Sequence, residues 1–270
     1  MSIKICIDAG HYGKYNRSPV NNKYYESDMT WKLHGYLKAA LLLYGFAVVT
    51  TRKDQGKDLS LMSRGKAAKG CDLFISLHSN ACGSDVKNPE AVDHPLACCT
   101  VTGKADVIGK QLADTVARVM GTAQSGRITK KIGNDGKDWY TVLRGAAAVG
   151  VPGVLLEHSF HTNSRATAWL LSDANLRKLA EAEAACIAAY FGIEKPVQTV
   201  PTSNSFLVKV ICTSLNVRAG AGTAHKIKTV VHKNEVYTIV ETKQVGSATW
   251  GKLKSGAGWI NIGSSYCKKL

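Results

Sequence analysis

No stretch of the sequence approaches the roughly 18 uninterrupted apolar residues that a membrane-crossing helix needs. The opening, MSIKICIDAG, lacks the basic segment, longer apolar run and cleavage site of a secretory leader. The expectation is therefore a protein made in the cytoplasm without an export signal of its own. Proline is scarce, at six in 270 residues, and there is no low-complexity tract or long internal repeat, which argues against a disordered chain. None of the eight cysteines, at 6, 71, 82, 98, 99, 186, 212 and 267, forms a CxxC pair or a regular spacing. Neither a zinc ribbon nor a disulfide framework follows from them, and they read as reduced, mostly buried small apolar residues. Acids are the remaining shortage: 20 Asp and Glu face 35 Lys and Arg, leaving a formal charge of +15.

That excess asks for a polyanionic partner, with nucleic acid, a membrane surface and an anionic cell wall as the candidates and a merely solvated basic surface as the bland reading. No cluster of basic and aromatic residues makes a nucleic-acid recognition motif, so nucleic acid is not expected, nor is membrane insertion. The imbalance is uneven. From residue 195 onward there are eleven Lys and Arg against two acids.

With 45% hydrophobic residues the chain can bury a substantial core, and its length suits one large domain plus a small one. The stretch KPVQTVPTSNS has the composition of an exposed connector, which divides the chain into 1–194, a linker at 195–205, and 206–270. In the first part short apolar runs (KICID, FAVVT, DLFISL, LACCTV, VPGVLLE) alternate with helical patterns, the mark of an α/β sheet covered by helices. Met29, Leu33, Leu37, Leu41 and Tyr44 recur at spacings of three and four, predicting a helix from Glu26 to Tyr44 that Gly45 stops. Further helices are predicted over Ala105–Met120, Asp173–Phe191 and, shorter, Leu61–Lys69. The last part changes to short β-type runs separated by glycines, predicting a small β-barrel.

Polar residues gather at element ends. His11 follows the first predicted strand in IDAGHYG, and His78 ends the third in FISLHSN. Glu26 opens the first helix, and Glu157 closes VPGVLLE just before two histidines, His158 and His161, in LLEHSFHTN. In open α/β sheets such strand ends line the ligand crevice. Singly, each has a plainer reading: a histidine after a strand is commonly just hydrogen-bonded, and Glu26 at a helix start can simply complement the helix dipole, worth about 0.3–1 kcal/mol.

Together, DAGHYG, the Glu26 helix, RGKAAKGCDLFISLHSNA and LLEHSFHTN resemble, in order and setting, the zinc-dependent N-acetylmuramoyl-L-alanine amidases of the amidase 3 family, over about residues 3–192. The resemblance implies a mixed twisted sheet flanked by helices, with His11, Glu26 and His78 holding one Zn²⁺ and an open position left for water. It implies that Glu157 is the general base and that the bond cut joins the lactyl group of N-acetylmuramic acid to L-alanine. Asn80 stands where the family has a polar residue near the substrate. Two departures stand out. Ser159 occupies a position where the family prefers glycine, so a positive φ there would cost on the order of 1 kcal/mol. His158 and His161 have no ligand counterpart and are expected to line or back the site. His94, in the polar insertion SDVKNPEAVDHP, is expected to be exposed.

The segment opening SLNVRAGAG and closing on GWINIGSSYC is similar to bacterial SH3-type wall-binding modules, which implies an SH3-like barrel that tethers a hydrolase to peptidoglycan and associated anionic wall polymers. Trp250, Trp259 and Tyr266 within it read as core first and ligand-stacking residues second. The combined expectation is a peptidoglycan hydrolase acting on the wall after release, a phage or prophage endolysin, with a bacterial spore or mother-cell lysis enzyme as its variant. The alternatives are a zinc peptidase cutting stem peptides and a non-catalytic basic wall-binding protein.

Overall fold

The computed structural model describes residues 2–194 and 205–270. Contacts divide the chain into two compact units, Met1–Pro196 and Val197–Leu270. The expected linker at 195–205 lies outside the described residues except for Ser205.

The first unit has six strands: β1 (Lys4–Ala9), β2 (Ala47–Thr50), β3 (Leu73–Asn80), β4 (Leu96–Cys99), β5 (Arg127–Thr129) and β6 (Gly153–Phe160). They form one sheet in the order β2-β1-β3-β6-β4-β5. The strands β1, β2, β3 and β6 run parallel, whereas β4 is antiparallel to β6 and β5 follows β4. Its helices are α1 (Glu26–Leu43), α2 (Leu61–Lys66), α3 (Asp106–Met120), α4 (Thr141–Ala148), α5 (Ser164–Leu170) and α6 (Asp173–Tyr190).

Strand alternation explains the layers. Ile5, Ile7, Leu73, Ile75, Leu77, Val154 and Leu156 point to one face and pack with α1, α3 and α6. Their neighbours Cys6, Phe74, Leu155 and Cys98 point to the other face, where Val142, Leu143 and Ala146 of α4 cover them. Near-continuous apolar strands are what a sheet buried on both faces requires. On that second face the side chains change character along the strands: beyond Cys6, Phe74 and Leu155, period two brings up Asp8, Ser76, His78 and Glu157. The short helices α2 and α4 sit close together through glycines. A Cβ on Gly65 would lie 2.0 Å from the Val142 carbonyl oxygen, and one on Gly145 2.5 Å from that of Met62.

The helices predicted from periodicity are present within a few residues of their expected ends. β5, α4, α5 and a 3₁₀ turn at Pro89–Ala91 were not anticipated. β5 has three residues and α4 holds Gly145 within eight, too short a span for either period to stand out. His94 is a correction: expected in solvent, it is 7% exposed, edge-on to Phe160 with ring centroids 5.0 Å apart. The eight cysteines are free, and Cys6, Cys71, Cys98, Cys99 and Cys267 are buried. Among the described residues no helix is long and apolar enough to cross a membrane.

The second unit is all β: β7 (Phe206–Val210), β8 (Ser214–Arg218), β9 (Ile227–His232), β10 (Val236–Val245), β11 (Ala248–Leu253), β12 (Trp259–Asn261) and β13 (Cys267–Lys269). They form one sheet in the order β13-β7-β10-β11-β12-β8-β9 with antiparallel pairings. Strand β10 pairs with β7 over Val236–Ile239 and with β11 from Ile239 onward, with a register shift between Ile239 and Glu241 that lets it serve both. Val208, Val210, Val217, Ile239, Leu253 and Ile260 form the core. Trp250 is buried, while Trp259 is half-buried and Tyr266 is exposed.

Candidate metal centre and general base

The chain leaves β1 at Ala9 and turns sharply. Gly10 is required by close approach, since a Cβ there would sit 2.4 Å from Cε1 of His78 and 2.5 Å from the Leu77 carbonyl oxygen. His11 follows with φ 59°, a left-handed conformation that costs a non-glycine residue energy. Two buried guanidiniums hold it there. Arg52 Nη2 and Arg64 Nη1 donate to the Ala9 carbonyl at 2.6 and 3.1 Å, and both arginines also donate to the carbonyl of His11.

The loop then caps α1 with its own backbone. The Glu26 N–H donates to the Asn16 carbonyl at 3.0 Å and that of Ser27 to the Tyr15 carbonyl at 3.4 Å, leaving the Glu26 side chain free to turn inward. Its Oε1 lies 2.9 Å from Nδ1 of His78 and accepts the Ser79 N–H at 2.9 Å; its Oε2 lies 3.2 Å from Nε2 of His11 and accepts from the Asn16 amide. Glu26 is 1% exposed, whereas the His11 and His78 side chains are 25% and 16% exposed. Burial alone would raise the Glu26 carboxyl's pKa, but the hydrogen bonds and positive charge of the two imidazoles outweigh it, so the net direction is down.

One donor atom from each of His11, Glu26 and His78 lies within 4.8 Å of the others, and among the described residues no other group of three or more is so arranged. Two imidazoles and a carboxylate, converging and partly open to solvent, are a donor set suited to Zn²⁺ with an open position. The residues therefore fit the metal.

Glu157 sits opposite His78 in the β3–β6 register. It is half-buried, and its Oε2 is enclosed without a hydrogen-bond partner among the described residues. Burial, followed by repulsion from Glu26, raises its pKa well above the ordinary value. Just beyond it the register slips between His78 and Asn80, a bulge in which Ser159 takes φ 62°, the positive angle that a position preferring glycine suggests. The Ser159 hydroxyl is buried and donates to Asp93 Oδ1 at 2.7 Å, and Arg165 and the Ala123 N–H hold the other oxygen of that carboxylate.

The two histidines after Glu157 back the site. His158 is buried, with Nδ1 donating to the His78 carbonyl at 2.8 Å and Nε2 2.7 Å from Glu183 Oε1 of α6. His161 Nδ1 lies 2.9 Å from the Ser79 carbonyl and 3.9 Å from Glu26 Oε2, with its ring stacked on Tyr24; burial lowers its pKa. Asn80 ends β3 with Oδ1 accepting the Ala81 N–H at 2.8 Å, and its carbonyl accepts the His161 N–H at 2.7 Å.

Sequence reasoning missed a second layer behind His78. Its Nε2 lies 3.1 Å from the Ser76 hydroxyl, which donates to Asp8 Oδ2 at 2.8 Å, and Thr51 donates to Asp8 Oδ1 at 2.5 Å. The available signal was period two: Ser76 and Asp8 precede His78 and Gly10 by two residues each.

Residues 5–189 match the family profile Amidase_3, described as N-acetylmuramoyl-L-alanine amidase. No curated protein matches significantly. Among solved structures the fold is similar to the catalytic domain of CwlV, an N-acetylmuramoyl-L-alanine amidase from Bacillus (Paenibacillus) polymyxa var. colistinus, at 23% identity and a TM-score of 0.59, covering 71% of this chain and 99% of that one. It is also similar to the N-acetylmuramoyl-L-alanine amidase AmiC2 of Nostoc punctiforme, at 23% identity and a TM-score of 0.59, covering 70% and 97%. Cwp6 from Clostridium difficile aligns at 22% identity and a TM-score of 0.58 over 70% of this chain but only 29% of its own, so this chain spans under a third of that protein. At these identities the likeness is one of fold.

Proposed function

Because the chain belongs to the Amidase_3 family of N-acetylmuramoyl-L-alanine amidases, we propose that it hydrolyses the amide between the lactyl group of N-acetylmuramic acid and L-alanine in peptidoglycan, with zinc as its metal. The observation that carries the reading is the convergence of His11, Glu26 and His78, with Glu157 beside His78 on the neighbouring strand.

In this reading His11, Glu26 and His78 hold the ion, which when bound supplies Lewis acidity for the amide carbonyl and for the attacking water. Glu157 takes the water's proton and delivers it to the departing nitrogen, which leaves poorly until protonated. Among the described residues none donates to its Oε2, so the carboxylate is not committed to a protein hydrogen bond there. His158 holds the His78 carbonyl and His161 holds that of Ser79, so the end of β3 stays fixed while the proton moves. The basic second unit would keep the hydrolase on an anionic wall as an SH3-like tether, and wall lysis by an endolysin or autolysin is the setting this combination favours.

Digestion of purified peptidoglycan tests the reading. New amino termini on L-alanine together with free muramoyl carboxyl groups are expected, and cleavage inside the stem peptide would assign a peptidase instead. Glu157→Gln is expected to keep the fold and about one zinc per chain by elemental analysis while losing at least roughly 100-fold in turnover; wild-type turnover in that variant would reject Glu157 as the base.

A further inference from the structure

Tyr12 and Tyr15 are 42% and 55% exposed, yet they stand on a loop whose backbone is hydrogen-bonded at several points. Three residues of that loop, His11, Gly13 and Asn16, have left-handed φ of 59°, 57° and 58°. Its backbone is tied on both sides of Tyr12 and at Tyr15. Arg52 and Arg64 hold the Ala9 and His11 carbonyls, the Gly13 N–H donates to the Gln55 carbonyl at 3.0 Å, and the Tyr15 N–H donates to the Ser27 hydroxyl at 2.9 Å. That hydroxyl donates back to the Gly13 carbonyl at 2.9 Å. Rigid backbone carrying exposed aromatic rings is costly to build for solubility alone, because the rings gain nothing from water and the loop has given up its freedom.

The rings are also ordered among themselves. Tyr15 stacks on the His11 imidazole with centroids 5.0 Å apart and planes within 18°, and Tyr12 lies nearly parallel to Tyr15 at 6.4 Å and 14°. Neither phenol oxygen makes a hydrogen bond among the described residues, so the rings are positioned by the backbone and by one another. The series leads outward from a proposed metal ligand to open surface.

We propose that Tyr12 and Tyr15 form a saccharide subsite that stacks against the pyranose ring of the muramoyl group. The inference rests on the amidase reading, which fixes what flanks the scissile amide. On the acyl side a short lactyl ether leads to a pyranose, whose C–H face is flat and positively polarised and so complements the negative face of a phenol ring. On the amine side stands alanine, whose single methyl group offers no flat face. A platform one ring away from His11 is within reach of the acyl side while the carbonyl lies at the centre. Preorganised rings lose little freedom on binding, which is how a small exposed contact yields useful affinity.

The test uses the full-length zinc-loaded protein with two soluble substrates: an N-acetylmuramoyl dipeptide and the matching N-lactoyl dipeptide, which keeps the amide and lacks the pyranose. Tyr12 is the residue to change, because Tyr15 rests on His11. Wild type is expected to prefer the muramoyl compound, and Tyr12→Ala to reduce that preference about 5–10-fold through KM with kcat little changed. Tyr12→Phe should restore the preference, with equal zinc content in all three proteins. An equal loss on both substrates would assign the rings to the stem peptide or to loop packing, and no loss on either would remove them from binding; each result overturns the subsite. Should wild type cleave neither compound, the amidase reading fails on its own. Saturation transfer from the Glu157→Gln protein to the muramoyl compound then decides the platform: transfer to pyranose protons that Tyr12→Ala abolishes supports it, and absence of transfer overturns it.

Discussion

His78 is aimed by what lies behind it. Its Nε2 edge is packed against Gly10, where no Cβ fits, and faces the Ser76 hydroxyl, which is committed to Asp8. With Oγ donating to the carboxylate, Ser76 is left to accept, so it holds a proton on Nε2 and leaves Nδ1, which donates to Glu26 at 2.9 Å, as the nitrogen that would give up its proton to a metal. Ser76→Ala is therefore expected to weaken zinc binding by about 10–100-fold in chelator competition, with the fold retained. Thr51→Val, which removes the hydroxyl donor to the other Asp8 oxygen while Arg64 stays 3.7 Å from it, serves as the control and should change affinity far less. The contrast marks what a sequence displays at this scale. His11 and Glu26 stand beside element ends, whereas His78 and Glu157, expected to close their strands, lie two and three residues inside them; all four fall in short motifs that draw attention without a structure. Asp8 and Ser76 are ordinary strand residues until the β1–β3 register pairs them side by side, and a register is a property of two segments far apart in the chain. The expected penalty at Ser159 was legible for the same reason as the motif around it, while its compensation, a hydrogen bond to Asp93 in an insertion that looked solvated, was not.

Among the elements, those with a full amphipathic repeat were readable: α1, α3 and α6 each show apolar residues on one face over fifteen or more residues. What escaped were α4 and β5, whose existence depends on partners rather than on their own pattern. The helix α4 owes its place to Val142, Leu143 and Ala146 covering Phe74 and Leu155, and to glycines that let α2 approach its backbone. Gly145→Ala separates these contributions. Alanine is favoured over glycine in a helix by about 1 kcal/mol, yet its Cβ would meet the Met62 carbonyl oxygen and backbone atoms of α2 at 2.5–3.1 Å. Backbone cannot swing aside as a side-chain tip can. The overpacking term is expected to win, with a net loss of about 1–2 kcal/mol in urea unfolding at an unchanged m-value. A gain in stability would mean that α2 is free to move outward and that its contact with α4 contributes little.

At the scale of the whole molecule the charge is distributed by unit, and this bears on how a hydrolase works on an insoluble polymer. Residues 197–270, the second unit, carry ten Lys and Arg against two acids. Those two acids are already engaged, Glu241 with Lys252 at 3.0 Å and Glu235 with Tyr237 and the His232 N–H. Lys226, Lys228, Lys233 and Lys254 are exposed and form no ion pair among the described residues, so their field is available to an anionic surface. Attraction of this kind is screened beyond about 8 Å at physiological ionic strength and falls steeply as salt rises. Chemistry at the proposed His11, Glu26 and His78 centre would depend on short contacts that salt hardly reaches. Raising sodium chloride from about 50 to 500 mM, across which the screening length falls more than twofold, should accordingly release the protein from sedimenting cell walls while leaving hydrolysis of a small muramoyl peptide nearly constant. The quadruple change of those four lysines to glutamine should mimic high salt in the sedimentation assay and leave the soluble reaction alone. Parallel loss of both activities would instead place the basic surface in substrate binding at the centre itself, and retention on walls at high salt would show that the second unit holds its ligand through shape and hydrogen bonds rather than charge.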